Sequence, residues 1–294
     1  MKSKNMRFFF FLAICIFTTS FVFGQIGITT EVKKSSFTSN SEVKKDTTSI
    51  ELQNLETKKS TEPVKTNPKI AEKPKPDYRT NIEKLQDKNW IIRRNAVINL
   101  GTEKNKNAFL LIIELLKDEN YEVRRCAAIA LGEFGDKRAV APLIKLLDDP
   151  DGGIIIDSAN SLAKIKDSSS IEPLKKLLAD GRPVVRITAI KSLASFNTKE
   201  IQSLIVKELN DESEGVRLTA IQLSVSLKIK SAVQNLINNL SDVNSTVIIE
   251  SAKALGSIGN ETAIEPLKKL LNNENTEISI AAENAISKLE NIER

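Results

Sequence analysis

Hydrophobic and polar positions repeat with a period of 31 residues from residue 79 to residue 294. The rows align without a gap and start near residues 79, 110, 141, 172, 203, 234 and 265. One column is always Leu, one is always Ile or Val, and one holds only Ala or Ser. The small column is Ala96, Ala127, Ser158, Ala189, Ala220, Ser251 and Ala282. A fixed period of this size predicts an all-α solenoid of about seven repeats.

Each row predicts two helices. In the third row Pro142 stands where we expect the first helical position, and apolar residues follow it on one face. The second helix follows a column of residues whose side chains can cap it, namely Asn89, Asn120, Asp151, Ser213, Asn244 and Asn275. Arg182 interrupts that column, and Pro183 after it supplies a different start signal. Gly135, Asn197 and Gly259 share a column in which we predict a left-handed turn.

Residues 1–24 are typical of a secretory signal peptide. Lys2, Lys4 and Arg7 precede the apolar run 8–17, and Gly24 offers a small residue for cleavage. An uncleaved anchor is disfavoured, because the run is shorter than the roughly 20 residues that span a bilayer. Lipidation at Cys15 is disfavoured too, because the preceding Ile14 is bulky. We therefore predict export, to the periplasm or the medium.

Residues 25–78 predict a disordered tether rich in Lys, Ser, Thr and Pro. Their scattered apolar residues cannot offset the entropy of ordering. This segment contains ten basic and eight acidic residues. The near balance of charge favours a spacer over a segment that binds an anionic polymer or lipid. The alternative stays open as envelope-polymer binding through the tether.

The net charge of +5 comes from the leader and the tether. Residues 79–294 hold 30 bases and 30 acids, so the repeat array is neutral. We therefore predict no nucleic-acid partner, since phosphate binding needs a surplus of cations. Along the array the charge changes from +3 in residues 79–140 to −4 in residues 234–294.

Arginines recur directly after the β-branched column, at Arg93, Arg124, Arg186 and Arg217. Acids recur in the turn between the two helices, at Asp87, Asp118, Asp149, Asp180, Asp211 and Asp242. One interpretation is an anion-binding stripe. We favour a structural ladder, in which each Arg pairs with an Asp of the preceding turn, within or between rows.

Several phrases carry a family resemblance. The segments APLIKLLDDP, DENYEVRRCAAIALGEFGDKRAVAPL and AIEPLKKLL resemble HEAT repeats of the short bacterial type named after phycobilisome lyases. The resemblance covers residues 79–294. It implies a right-handed α-solenoid, with first helices on the convex side and second helices on the concave side. It also implies that the Arg–Asp ladder is structural.

On that implied geometry, parts of two columns face the concave groove and predict a protein- or peptide-binding surface. The first column begins with two arginines and continues as Ile156, Ile187, Leu218, Ile249 and Ile280. The predicted binding residues are Arg94, Arg125, Ile129, Asn160, Lys191, Gln222 and Lys253. Apolar surface rimmed by polar groups is typical of protein binding. An equally weighted alternative buries Ile156, Ile187 and Leu218 between helices.

The sequence offers no set of catalytic residues. Histidine is absent, and Cys126 is the single cysteine after the predicted leader. Glycine-rich phosphate loops, CxxC pairs and HExxH spacing are absent too. We predict a non-catalytic scaffold without metal or cofactor. The rival hypothesis is a lyase or hydroxylase like two enzymes of related fold, phycobilin lyase and deoxyhypusine hydroxylase. The latter holds di-iron with His-Glu motifs, which this chain lacks.

Overall fold

The computed structural model describes residue 77 and residues 79–292. The predicted signal peptide at 1–24, with Cys15, and the predicted tether at 25–78 apart from residue 77 lie outside the described residues. Within the described part, no helix combines the length and hydropathy needed to span a membrane.

Residues 79–292 form an all-α solenoid of helical hairpins and contain no strand. Odd numbers denote the first helix of each hairpin and even numbers the second. The helices are α1 (Asn81–Lys84), α2 (Trp90–Thr102), α3 (Phe109–Glu114), α4 (Tyr121–Phe134), α5 (Val140–Lys145), α6 (Gly152–Ile165), α7 (Ile171–Lys176), α8 (Pro183–Ala194), α9 (Lys199–Glu208), α10 (Glu214–Ser226), α11 (Val233–Asn238), α12 (Ser245–Ile258), α13 (Ile264–Lys268) and α14 (Thr276–Ile292). Successive second helices pack against one another, and each first helix packs on its own partner.

Most first helices are short and lie between 3₁₀ turns, as α3 does between Lys106–Ala108 and Leu115–Lys117. Pro142 is therefore the third residue of α5 and not the first, which corrects the prediction. A 3₁₀ turn capped by Asp136 precedes α5, and the Asp136 carboxylate accepts the Arg138 backbone N–H at 2.9 Å. Proline fits the third position because the first N–H groups of a helix lack an intrahelical acceptor. This second capping column was not predicted from the sequence; its members are Asn105, Asp136, Asp167 and Asn260.

The predicted caps of the second helices are mostly formed. Side chains at Asn89, Asn120, Asp151, Asn244 and Asn275 accept a backbone N–H two residues ahead. Ser213 makes no such bond, so that prediction was wrong. Pro183 begins α8 without a side-chain cap, as the sequence indicates.

The left-handed turn after the second helix occurs at Gly135 and Asn197, with φ of 67° and 46°. Lysines adopt it at three further positions of the same column, Lys104, Lys166 and Lys228. Gly259 differs, with φ −71° and ψ −170°, so that prediction was wrong. There the chain leaves α12 extended, and a Cβ would lie 2.3 Å from the Leu255 carbonyl oxygen, which explains why glycine fits.

The small column is buried in every row, with at most 1 % of each residue exposed. A second small column, one turn further along, sets how closely neighbouring second helices approach. A Cβ at Gly132 would lie 2.5 Å from Ser161 Oγ, and one at Gly256 would lie 2.9 Å from Ala285 Cα. These glycines bring α4 close to α6 and α12 close to α14. The same column holds Ala163, Ala194 and Val225 in the middle rows, where neighbouring second helices pack less closely.

Both terminal rows of the described array replace buried apolar residues with polar ones. Asn81 stands in a column whose other members, such as Ile112 and Leu143, are fully buried. Its side-chain oxygen accepts a hydrogen bond from Asn99 at 3.4 Å. On α14, Glu283 is exposed in the column of buried Val97 and Ile190. Such substitutions suit a row that meets water on one side.

Candidate functional site

The ladder arginines tie each inter-helix turn to the next. Arg93 forms a bidentate pair with Asp118 of the following row, with N···O distances of 2.7 and 2.8 Å. Its third nitrogen donates to the Asp87 carbonyl oxygen of its own row at 2.7 Å. Arg186 repeats the arrangement with Asp211 and the Asp180 carbonyl oxygen. The carboxylate partner thus belongs to the following turn and not the preceding one, which corrects that detail of the prediction.

Two other arginines make the same link less completely. Arg124 Nε lies 3.3 Å from Asp149 Oδ2, and Arg217 Nη2 donates to Asp242 Oδ1 at 2.9 Å. Both also donate to a backbone carbonyl in their own turn. Because these guanidinium groups are directed inward, they are not available to an external anion.

The ladder arginine is missing from three rows, at Ile155, Ile248 and Ser279, and the acids of the next turn differ after the first two. Ile155 replaces an arginine, and Asp180 of the next turn pairs instead with Arg182, which lowers the pKa of Asp180 through its hydrogen bonds. Ile248 also replaces an arginine, and the next turn carries the neutral Asn273. A buried carboxylate is costly without a cation. Asp180 therefore pairs with a different arginine, whereas in the other row the acid is replaced by neutral Asn273.

Arg125, predicted to bind a partner, is instead buried between α4 and α6. Its Nε donates to Asp157 Oδ2 at 2.7 Å, and both side chains are at least nine-tenths buried. Burial is the largest influence on Asp157 and raises its pKa to about 6, with Asp151 and Glu122 adding to the effect, although Arg125 opposes it. The pair forms because Gly153 leaves room for the guanidinium, 3.3 Å from where a Cβ would stand. The prediction of Arg125 as a surface residue was therefore wrong.

Ile129 is also buried, with 6 % of its surface exposed, and is removed from the predicted surface. The physical reason is the close approach of α4 to α6 at Gly132, which covers the column in the first rows. Ile98 of the same column is buried likewise. Arg94 stays half-buried and stacks on Trp90, with 5.3 Å from its guanidinium carbon to the ring centroid.

From α6 onward the same columns reach the surface. Four of the predicted binding residues are exposed, one on each successive second helix: Asn160, Lys191, Gln222 and Lys253. The apolar column beside them is half-buried, at Ile156, Ile187, Leu218 and Ile249. One alternative placed this column on a binding surface and the other buried it between helices. The structure agrees fully with neither, because part of each side chain is covered and part is exposed. We call these eight residues the second-helix face.

Lys191 has the least compensated charge of this face. Lys253 pairs with Glu250 on its own helix, with an N···O distance of 2.8 Å. Lys164 on α6 pairs with Glu133 on the neighbouring helix α4. Lys191 has no salt bridge within residues 79–292. The middle of the second-helix face therefore carries a cation that an acidic group from outside can approach.

A pocket of about 280 Å³ opens between α10 and α12, one turn beyond the half-buried apolar column. Its floor is apolar, formed by Ile221, Val225 and Ala254. Its rim is polar, formed by Gln222, Ser226, Glu250, Lys253 and Ser257. Val225, which lines the pocket, stands in the column that holds Gly132 and Gly256 in other rows.

The thiol and two of the carboxylates near the inter-helix turns are buried or have structural partners. Cys126 is buried, and Asp149 contacts Arg124. Asp151 caps α6. Within residues 79–292, no group of three or more His, Cys, Asp or Glu side chains is arranged to hold a metal ion.

Comparison with known families agrees with this architecture. The family model described as HEAT repeats matches residues 79–160 and 201–287, more than half of the chain. The chain belongs to the HEAT repeat family. The model described as PBS lyase HEAT-like repeat matches residues 156–180 and places the protein with the phycobilisome-lyase-like type. Among curated proteins, no sequence matches this HEAT repeat protein.

Three solved structures illustrate what this chain is similar to. YibA of Escherichia coli is 20 % identical, with a TM-score of 0.50, covering 71 % of this chain and 91 % of its own. The complex of CpcE and CpcF of phycocyanin lyase from Nostoc sp. PCC7120 is 24 % identical, with a TM-score of 0.46, covering 76 % and 99 %. Human deoxyhypusine hydroxylase is 19 % identical, with a TM-score of 0.38, covering 72 % and 83 %. At these identities the likeness shows the HEAT repeat fold alone.

Proposed function

We propose that this HEAT repeat protein is an exported, non-catalytic scaffold that binds a protein or peptide through its second-helix face. The observation that carries the proposal is the alignment of half-buried apolar side chains beside exposed polar ones on four successive helices, α6 to α12. A surface of this composition gains free energy by covering its apolar part, while its polar rim directs hydrogen bonds.

The internal pairing of charges supports a protein partner over a nucleic acid. The ladder arginines are satisfied by the carboxylates and carbonyl oxygens of the turns, as Arg93 and Arg186 are. These ladder arginines are therefore not available to phosphates. The neutral charge of residues 79–294 has the same consequence, because binding to nucleic acid depends on the number of phosphates neutralised.

Export and attachment form the second part of the proposal. The leader at 1–24 is removed on secretion to the periplasm or the medium, and residues 25–78 space the solenoid from its surroundings. The fold is then held by core burial without an internal disulfide, since one cysteine would remain. No group of this chain is assigned a catalytic role, and neither metal nor cofactor is part of the proposal.

Site-specific photo-cross-linking in the native cells tests the binding face. In one variant a photoreactive amino acid replaces Lys191 on the second-helix face. In the matched control it replaces Lys207, an exposed lysine on α9, which is the first helix of its hairpin. We expect a defined cross-linked product at position 191 and a much weaker one at position 207. Equal products at both positions, or none at 191, would contradict binding through this face.

A further inference from the structure

We propose that the pocket between α10 and α12 takes one large apolar side chain of an extended peptide, and that Lys191 pairs with an acidic residue about four positions away on that peptide. This rests on the proposed function and names the partner chemistry of the same face. Three features carry it: the apolar floor, the polar rim and the uncompensated lysine on the neighbouring helix α8.

The floor of the pocket fits an apolar side chain. Ile221 and Ala254 are almost wholly buried, and Val225 beside them is half-buried. Its volume of about 280 Å³ is at the lower limit of the roughly 300–1,000 Å³ typical of small-molecule sites. The pocket is therefore better suited to a single anchoring side chain than to a free cofactor.

The rim suits the polar backbone of an extended chain. Gln222 carries both a donor and two acceptor lone pairs on its amide. Ser226 and Ser257 bond only to carbonyl oxygens of their own helices, with Ser257 Oγ donating to the Lys253 carbonyl oxygen at 3.0 Å. These hydroxyls keep acceptor lone pairs for a peptide N–H beside the anchor.

Lys191 sets the charge of the partner. The rim charges Lys253 and Glu250 neutralise each other at 2.8 Å, so the pocket mouth has little net charge. Lys191 on α8 stays without a salt bridge within the described array. Packed helices lie about 8–10 Å apart, which places Lys191 roughly 12–15 Å from the gap between α10 and α12. An extended chain covers that distance in about four residues, at roughly 3.3 Å each.

The probe is a library of random twelve-residue peptides displayed on phage and selected on the full chain. We expect enriched sequences to share one large apolar residue with Asp or Glu about four positions to one side. Synthetic peptides from the selection are then titrated by fluorescence anisotropy. Enriched sequences without a shared apolar residue would overturn the proposal.

Two substitutions with matched controls separate the parts. Ser257→Phe fills the pocket mouth and is expected to weaken binding at least tenfold. Ser203→Phe is its control, because Ser203 is an exposed serine on α9 with the same bond to the carbonyl oxygen four residues back. Lys191→Glu is expected to weaken binding at least fivefold, and Lys207→Glu less than twofold. Thermal melting checks that each variant folds.

The outcomes distinguish this inference from the proposed function. Binding that is lost in Lys191→Glu but unchanged in Ser257→Phe removes the anchor pocket and leaves the face. Binding unchanged in both variants removes the anchor and the acidic contact together. A library that yields no retained peptide counts against the peptide anchor alone, because cross-linking at position 191 decides independently whether the face binds a partner.

Discussion

The close approach of α4 to α6 at Gly132 can be tested by adding a single methyl group there. In Gly132→Ala the new Cβ would lie 2.5 Å from Ser161 Oγ, 2.7 Å from its Cβ and 2.9 Å from its Cα. Ser161 is buried, and its hydroxyl donates to the Ala128 carbonyl oxygen at 2.9 Å. Rotation of the hydroxyl cannot relieve the contact, because the Ser161 Cβ and backbone Cα also lie within 3 Å of the new Cβ. The helices must separate.

The magnitude follows from three effects. Overpacking a tight core costs about 1–3 kcal/mol, and loss of the Ser161 hydrogen bond costs about 1 kcal/mol. Alanine regains about 1 kcal/mol of helix propensity over glycine. We therefore expect the free energy of unfolding to fall by about 1–3 kcal/mol, measured by urea unfolding followed by far-ultraviolet circular dichroism.

A double-mutant cycle provides the control. Ser161→Gly removes the Oγ and Cβ that a new Cβ at position 132 would meet. The loss in Gly132→Ala/Ser161→Gly should be smaller than the sum of the two single losses by at least about 1 kcal/mol, since contacting residues couple. Additive losses, or a Gly132→Ala variant as stable as wild type, would refute the proposed role of this glycine in setting the helix spacing.

Three further predictions follow from the charges and the leader. Arg186→Ile leaves a buried Asp211 carboxylate unpaired and should cost about 3 kcal/mol of unfolding free energy. The double variant Arg186→Ile/Asp211→Asn recreates the Ile248 and Asn273 pattern and should cost less than about 1 kcal/mol; equal losses in the same urea assay would contradict the ladder. Because burial raises the pKa of Asp157 to about 6, the folded state binds an extra proton between about pH 4 and 6. The stability of wild type relative to Asp157→Asn should therefore fall as pH rises through that window, and a carboxyl pKa below 4 by nuclear magnetic resonance would contradict it. Sequencing of the mature protein should find Gln25 at its N-terminus, whereas a retained Met1 would contradict cleavage of the leader.

The sequence was sufficient for the features that depend on residues close together along the chain. The 31-residue period predicted the paired helices, and the cap column predicted where most second helices start. Features set by distances between rows were less predictable. Arg125 and Ile129 lie in columns that reach the surface elsewhere, and the approach of α6 at Gly132 buries them. Asp157 is the buried partner of Arg125. Its position in the repeat holds no consistent residue type, so the sequence did not predict this ion pair.

The candidate site shows the same division. The exposed column from Asn160 to Lys253 could be read from periodicity, because side chains 31 residues apart share one face. The pocket between α10 and α12 could not, since it depends on how closely these two helices pack, which the sequence pattern does not give.

The central claim is that the second-helix face binds the partner. Once cross-linking has identified that protein, calorimetric titration into wild type, Lys191→Glu and Lys207→Glu tests the claim most directly. Both lysines are exposed, and each substitution changes the net charge equally, so only their positions differ. We predict at least fivefold weaker binding for Lys191→Glu and less than twofold change for Lys207→Glu. Equal dissociation constants for the two variants would contradict the claim.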